Sequence, residues 1–204
     1  MRYGDREERP RLLELVRERT ITYDEYAELP DDGYRYEIAD GKLELMSPSP
    51  SGYHQLLSAT LLQAVKQTCG KEYIILAAPL DVIFSQTDVR QPDLIIFHRS
   101  RKSIVTKRGI EGIPDVVAEI LSPSTRIRDK RDKLKTYAKY GVPEYWIIDP
   151  ATYTLEQYLL REPGYYELSE LYESDEPVVS PSLPCLAITM NDIAAELKDV
   201  LGEQ

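Results

Sequence analysis

The stretch Val116-Val117-Ala118-Glu119-Ile120-Leu121 places a single carboxylate in an otherwise apolar run. Side chains alternate along a strand, so Val116, Ala118 and Ile120 share one face and Val117, Glu119 and Leu121 the other. An ionised carboxylate in such a place is costly unless a cation, a metal or several donors compensate it. Asp93 raises the same question, because it follows Pro92 and leads directly into Leu94-Ile95-Ile96-Phe97. Two carboxylates on neighbouring strands suit a hard divalent cation, Mg²⁺ or Mn²⁺, which takes few protein carboxylates and fills its other positions with water and substrate phosphate. Such an ion lowers the pKa of bound water and neutralises charge on a phosphoryl group. The chemistry indicated is phosphodiester hydrolysis. Each acid alone also has an ordinary reading: Asp93 as a turn cap, Glu119 as the partner of an arginine.

The elements that must position these acids are legible from periodicity and turn chemistry. Thr22 with Glu25 three residues later forms a capping box and opens a short helix that ends before Pro30. Strand-like Tyr34 to Ala39 and Lys42 to Met46 flank Asp40-Gly41, a type I′ hairpin signal because glycine tolerates positive φ. After Pro48 and Pro50, Leu57, Leu61, Leu62 and Val65 line one face of an amphipathic helix over Tyr53 to Thr68. Strands are expected at Tyr73 to Leu76, Leu80 to Phe84, Asp93 to Phe97, Asp115 to Leu121 and Glu144 to Ile148. A helix from Arg126 to Tyr140, capped by Ser122 to Thr125 and ended by Gly141, joins the last two. Tyr153 to Leu160 and Tyr165 to Tyr172 form a meander around Pro163-Gly164, and a helix near Asp192 to Leu201 is expected to seal an edge. Strands on both sides of helices indicate an α/β (α+β) mixed sheet with flanking helices, an added N-terminal hairpin and a C-terminal meander. Residues 1–19 read as an N-terminal helical extension and residues 20–204 as a single domain.

The 204 residues are 42% hydrophobic and 29% charged, an ordinary globular balance that excludes a disordered chain. Cys69 and Cys185 lie far apart and outside any C-x-x-C pair, so neither a disulfide framework nor a cysteine zinc site is expected and a reducing compartment is the simpler reading. No stretch approaches the roughly 20 apolar residues of a membrane span, and no leader-like apolar region follows Met1. A cytoplasmic protein is expected. The net charge of −10 argues against a protein that coats nucleic acid. Yet the segment Arg99 to Lys139 holds 12 Lys or Arg against 5 Asp or Glu, so a basic stretch is embedded in an acidic chain.

Several strings converge on one known family. Tyr36-Glu37-Ile38 with Asp40-Gly41, Ser47-Pro48-Ser49-Pro50 with His54, Pro92-Asp93-Leu94, and Ala118-Glu119-Ile120-Leu121-Ser122-Pro123-Ser124-Thr125 resemble the Uma-two family of restriction endonucleases. The resemblance continues through Lys133, Tyr137, Gly141-Val142-Pro143-Glu144-Tyr145-Trp146 and Asp149-Pro150, over residues 20–195. That family is similar to the PD-(D/E)XK nucleases, which implies a restriction-endonuclease-like core, a divalent metal and cleavage of DNA. The resemblance implies Asp93 and Glu119 as metal ligands, the Ile120 main-chain carbonyl as a further ligand, and Glu37 as an acid that completes the cluster. One departure stands out: the lysine of the E-x-K step would fall at position 121, which is leucine. Lys133 on the following helix matches the family column and flanks an apolar stripe of Ile127, Leu134 and Ala138, so it is the expected migrated lysine, placed to orient water or stabilise charge on the phosphate. His54, Lys130 and Lys135 are candidates for supporting or phosphate contacts. His98 has no supporting context, and Trp146 and Tyr145 read as core.

The basic stretch flanks the expected metal site on both sides, as it would if DNA phosphates pass beside the carboxylates. Its ordinary reading is a solvated helix in which Asp129 and Asp132 form i, i+3 and i, i+4 pairs. A homodimer would suit cleavage of both strands. The competing function is a catalytically inactive nuclease fold that binds nucleic acid or a protein partner, which the leucine at 121 leaves open.

Overall fold

A computed structural model describes residues 19–30, 33–46 and 50–202. The expected N-terminal extension, apart from Arg19, and Ser47 to Ser49 of the resemblance lie outside the described residues. The capping box forms as expected: Thr22 Oγ1 accepts from Glu25 N–H at 3.3 Å, Glu25 Oε2 accepts from Thr22 N–H at 2.9 Å, and α1 (Tyr23–Ala27) follows. The hairpin is β1 (Tyr36–Ala39) and β2 (Lys42–Leu45), paired Ile38 to Leu43 and Ala39 to Lys42. Asp40 (φ 47°) and Gly41 (φ 73°) both take the left-handed conformation that a two-residue hairpin turn requires. Gly41 has a second reason to be glycine, since a Cβ there would meet Thr20 Cγ2 at 2.3 Å.

Next come α2 (Gly52–Cys69), β3 (Tyr73–Ala77), β4 (Val82–Ser85), β5 (Asp88–Arg90), β6 (Leu94–His98), β7 (Ile110–Glu111) and β8 (Val116–Ile120). A helix then runs through a wide π-helical turn, Arg128–Lys133, into α3 (Leu134–Lys139). The chain closes with β9 (Glu144–Asp149), β10 (Thr154–Glu162), β11 (Tyr165–Tyr172) and α4 (Met190–Leu201). The strands form two sheets, in the orders β2-β1-β5-β4-β7 and β11-β10-β9-β8-β6-β3. β5 and β7 were not expected, since two or three residues are too few to show a period, and they exist through pairing with β4. In the six-stranded sheet β8 and β9 are parallel and are joined by the 126–139 helix as a crossover, while β6 runs antiparallel to β8.

The two faces of β8 divide as the alternation predicts. Val116, Ala118 and Ile120 pack with Leu57, Leu61 and Val65 of α2 and with Trp146 and Ile148, whereas Val117 and Leu121 pack with Tyr137, Ala138 and Val142. α4 lies on the α2 face through Met190, Ile193 and Leu197 and does not seal a sheet edge, because its apolar stripe needs a partner surface and the edges are β11 and β3. Ile127 is a further correction: it is 71% exposed and stands outside the apolar stripe, since the widened turn changes the helical phase between it and Leu134. The cysteines are also corrected. Cys69, the last residue of α2, and Cys185, ahead of α4, are disulfide-bonded with Cα atoms 5.2 Å apart, a pairing hidden by a sequence separation of 116. Among the described residues no helix is long and apolar enough to cross a membrane.

The segment before α4 is tied to the sheet by a buried carboxylate. Glu144 Oε1 accepts from Trp146 Nε1 at 2.5 Å and Gln157 Nε2 at 2.7 Å, and Oε2 accepts from Ser180 Oγ at 2.7 Å and Ser182 N–H at 3.3 Å. Replacing it orphans four donors. Glu144→Ala is expected to lower unfolding free energy by about 3 kcal/mol in a urea titration followed by Trp146 fluorescence; a loss under about 1 kcal/mol would remove this anchoring role.

Candidate active site

Leu94 faces Ala118 across β6 and β8, so Asp93 and Glu119 occupy the next opposed positions, on the face that also carries Ile95 and Val117. Asp93 is held there by the backbone: Asp93 Oδ2 accepts from Ile120 N–H at 2.7 Å and lies 3.2 Å from His54 Nε2 near the start of α2. Both acids line a cavity of about 440 Å³, with His54, Gln91, Ile120, Arg35, Arg128, Asp129 and Lys133 also on its wall.

Lys133 reaches this cavity from the π-helical turn and is buried there. Its ammonium lies 2.7 Å from Glu119 Oε1, 3.5 Å from Glu37 Oε1 and 3.6 Å from Asp129 Oδ1. Tyr137, one turn further along the helix, donates its hydroxyl to the same Glu119 oxygen at 2.6 Å. A single ammonium is therefore shared among three carboxylates. Burial opposes the Lys133 charge, but Glu119, Glu37 and Asp129 together outweigh it and raise the ammonium pKa above the ordinary lysine value. Burial pushes the Glu119 carboxyl well above the usual range; Lys133 opposes this, while Asp129, Asp93 and Glu37 add to it. The two shifts are compatible, because three carboxylates surround one ammonium, so the cation gains more than one partner while Glu119 has the other acids beside it. Burial also raises Asp129. For His54 burial acts downwards, and the Asp93 carboxylate overcomes it to give a net upward shift.

Glu37 is brought to Lys133 but not to the cavity wall. Burial would raise its carboxyl, yet Lys133, Arg90 and the Gln91 N–H hold it below the ordinary value. Arg90 Nη1 donates to Glu37 at 3.2 Å and to Glu44 at 3.1 Å, and its Nη2 donates to Thr136 Oγ1 at 3.1 Å, so the hairpin, β5 and the helix are cross-linked behind Lys133. Lys130 pairs with Glu156 of β10, and Lys135 is exposed; neither lines the cavity. Asp129, Gln91 and Arg128 were not singled out as site residues. The spacing contained one signal for Asp129, which sits four residues before Lys133 on the same helical face.

Among the described residues, no three His, Cys, Asp or Glu side chains are grouped as a ready-made metal cage. The donor set nonetheless fits a hard cation that needs only one or two carboxylates and completes its shell with water. The Asp93 side chain makes its protein contacts through Oδ2, and Glu119 makes its contacts with Lys133 and Tyr137 through Oε1.

The mixed sheets with their flanking helices form a restriction-endonuclease-like fold. Residues 23–191 match the Uma-two family, described as "Putative restriction endonuclease", and the chain belongs to that family. Among solved structures it is similar to a "putative nuclease belonging to DUF820" from Anabaena variabilis ATCC 29413, with TM-score 0.71 and 24% identity over 87% of this chain and 99% of that one. The type IIG restriction endonuclease BpuSI aligns with TM-score 0.40 and 16% identity over 76% of this chain, which spans only 17% of that larger protein. No curated protein sequence matches.

The shared ammonium makes a stability prediction. Lys133→Met leaves Glu119, Glu37 and Asp129 without their common cation and should cost about 3–5 kcal/mol at neutral pH in urea unfolding. Carboxyls whose folded pKa is raised take up protons on folding, so the deficit should shrink as pH falls towards the ordinary carboxylate range and grow as pH rises through the raised values. A variant as stable as wild type at neutral pH would show that the charge is not needed there.

Proposed function

We propose that this protein is a Mg²⁺- or Mn²⁺-dependent DNA endonuclease that hydrolyses phosphodiester bonds. The observation that carries this reading is Lys133, a lysine from the following helix buried 2.7 Å from Glu119 in a cavity that also receives Asp93. It supplies, from another element, the cation that Leu121 cannot. Asp93 and Glu119, with the Ile120 carbonyl, are the residues that would hold the ion. When bound, the ion acidifies water and neutralises charge on the phosphoryl group. Lys133 faces the same cavity and stabilises negative charge as it builds on the phosphate. Glu37 and Asp129 hold the lysine in place, and His54 holds Asp93. Arg35 and Arg128 on the cavity wall are suited to backbone phosphates, contacts that position DNA without reading its sequence.

A second reading, a nuclease fold that binds nucleic acid or a protein without cutting, draws on the engagement of Glu119 Oε1 by both Lys133 and Tyr137. Cleavage separates the two. Supercoiled plasmid and single-stranded DNA should be cut with Mg²⁺ or Mn²⁺ and spared with EDTA. Asp93→Ala and Glu119→Ala should abolish cutting, and Lys133→Ala should slow it by about 10²–10³-fold. Cutting that survives both acid substitutions would defeat the metal-site assignment, and a wild type that binds DNA but never cuts it would favour the second reading.

A further inference from the structure

Among the described residues, five buried side-chain polar atoms have no hydrogen-bond partner, and four of them, His54 Nδ1, Gln91 Oε1, Arg128 Nε and Asp129 Oδ1, belong to residues that line the cavity described above. Buried polar atoms in folded proteins are satisfied by protein or ordered water, so this concentration marks a place where water or a ligand belongs. Gln91 is the neutral member of the four, and only 9% of it is exposed. It is clamped at both ends: its N–H donates to Glu37 Oε1 at 2.9 Å, and its side-chain Nε2 donates to Asp81 Oδ1 at 2.8 Å. An ionised aspartate only accepts, so Asp81 decides which way the amide points. The Tyr23 hydroxyl, from α1, donates to Asp81 Oδ2 at 3.3 Å.

Gln91 lines the cavity and its buried carbonyl oxygen is left without a donor. Lys133 makes no hydrogen bond to it: its ammonium donates to Glu119 Oε1 at 2.7 Å and lies beside Glu37 and Asp129 at 3.5 and 3.6 Å. A phosphodiester supplies no donor either, as its free oxygens only accept. Water does, and water acidified beside a cation is a stronger donor than bulk water.

We propose that Gln91 Oε1 accepts a hydrogen bond from the water that attacks the phosphate, and that Asp81, outside the cavity, is the positioning residue that keeps this oxygen turned inward. The nuclease reading above supplies the identity of the reacting water; the presence of water at this oxygen does not depend on it. Gln91→Leu removes the acceptor at similar volume. Asp81→Asn substitutes an amide that can donate to Gln91 Oε1 and so releases the orientation. Each should lower kcat for plasmid cleavage about 10- to 100-fold while KM for DNA and the melting temperature stay near wild type, since displacing the water misaligns attack without touching phosphate contacts. A wild-type crystal structure should show an ordered water within hydrogen-bond distance of Gln91 Oε1, absent in Gln91→Leu. Unchanged kcat in both variants, a change in KM alone, or no water at Oε1 overturns the proposal. If Gln91→Leu fails to fold, Asp81→Asn carries the kinetic test. If wild type cuts nothing with Mg²⁺ or Mn²⁺, the nuclease reading fails and the crystallographic water alone decides: its absence overturns the Gln91 assignment too, and its loss in Gln91→Leu upholds Gln91 as a water-holding residue.

Discussion

A buried ammonium cannot sit just anywhere, and the placing of Lys133 constrains much of this molecule. Its three carboxylates come from three elements: Glu37 from β1 of the five-stranded sheet, Glu119 from β8 of the six-stranded sheet, and Asp129 from its own helix. One cation thus bridges both sheets and the crossover between β8 and β9. Desolvating so many charges is costly, and such clusters are weak as pure stabilisers. Their retention is easier to understand as the cost of a preorganised charge beside a cavity. The helix adjusts accordingly. The wide π-helical turn ending at Lys133 is a feature found often at functional sites, and it puts Asp129 and Lys133 inward while Ile127 is left in solvent.

The electrostatics outside the cavity look different from the charge count. Seven of the twelve cations in the basic segment are paired within the fold: Lys133 as described, Arg101 with Asp115, Arg108 with Asp24, Arg126 with Asp149, Lys130 with Glu156, Arg131 with Asp132, and Lys139 with Asp40 and Asp88. Exposed pairs of this kind add little stability and are readily screened. They also remove the even basic surface that a strong nucleic-acid binder presents. The cations on the cavity wall are Arg35, Arg128 and Lys133, so attraction for phosphate is focused on the site itself. The DNA binding proposed above would therefore be weak at high salt and confined to that face.

Local chemistry was sufficient for much of this. The Thr22–Glu25 capping box, the Asp40-Gly41 turn, the α2 stripe and the alternation along β8 each rest on contacts a few residues apart, and each is present. The opposition of Asp93 and Glu119, in contrast, comes from the pairing of β6 with β8, which neighbouring residues do not specify. What short-range pattern could not reveal were relations set by long loops. The Cys69–Cys185 bridge spans 116 residues, β5 and β7 are too short to show periodicity, and the hydrogen bond from Gln91 to Asp81 joins the end of β5 to the start of β4.

By itself, then, the sequence determined the family, the alternating strands, the two acids and the need for a cation that position 121 does not supply. The family resemblance already pointed to Lys133 for that cation, and tertiary structure alone decided which neighbours share it. The physical reason is one of range. Strand alternation and capping are written in neighbouring residues, whereas the charge state of a buried group depends on every carboxylate that the sheets and helix bring within a few ångströms of it. It is folding that turns Lys133 from an exposed-looking helix charge into the buried partner of Glu119, Glu37 and Asp129.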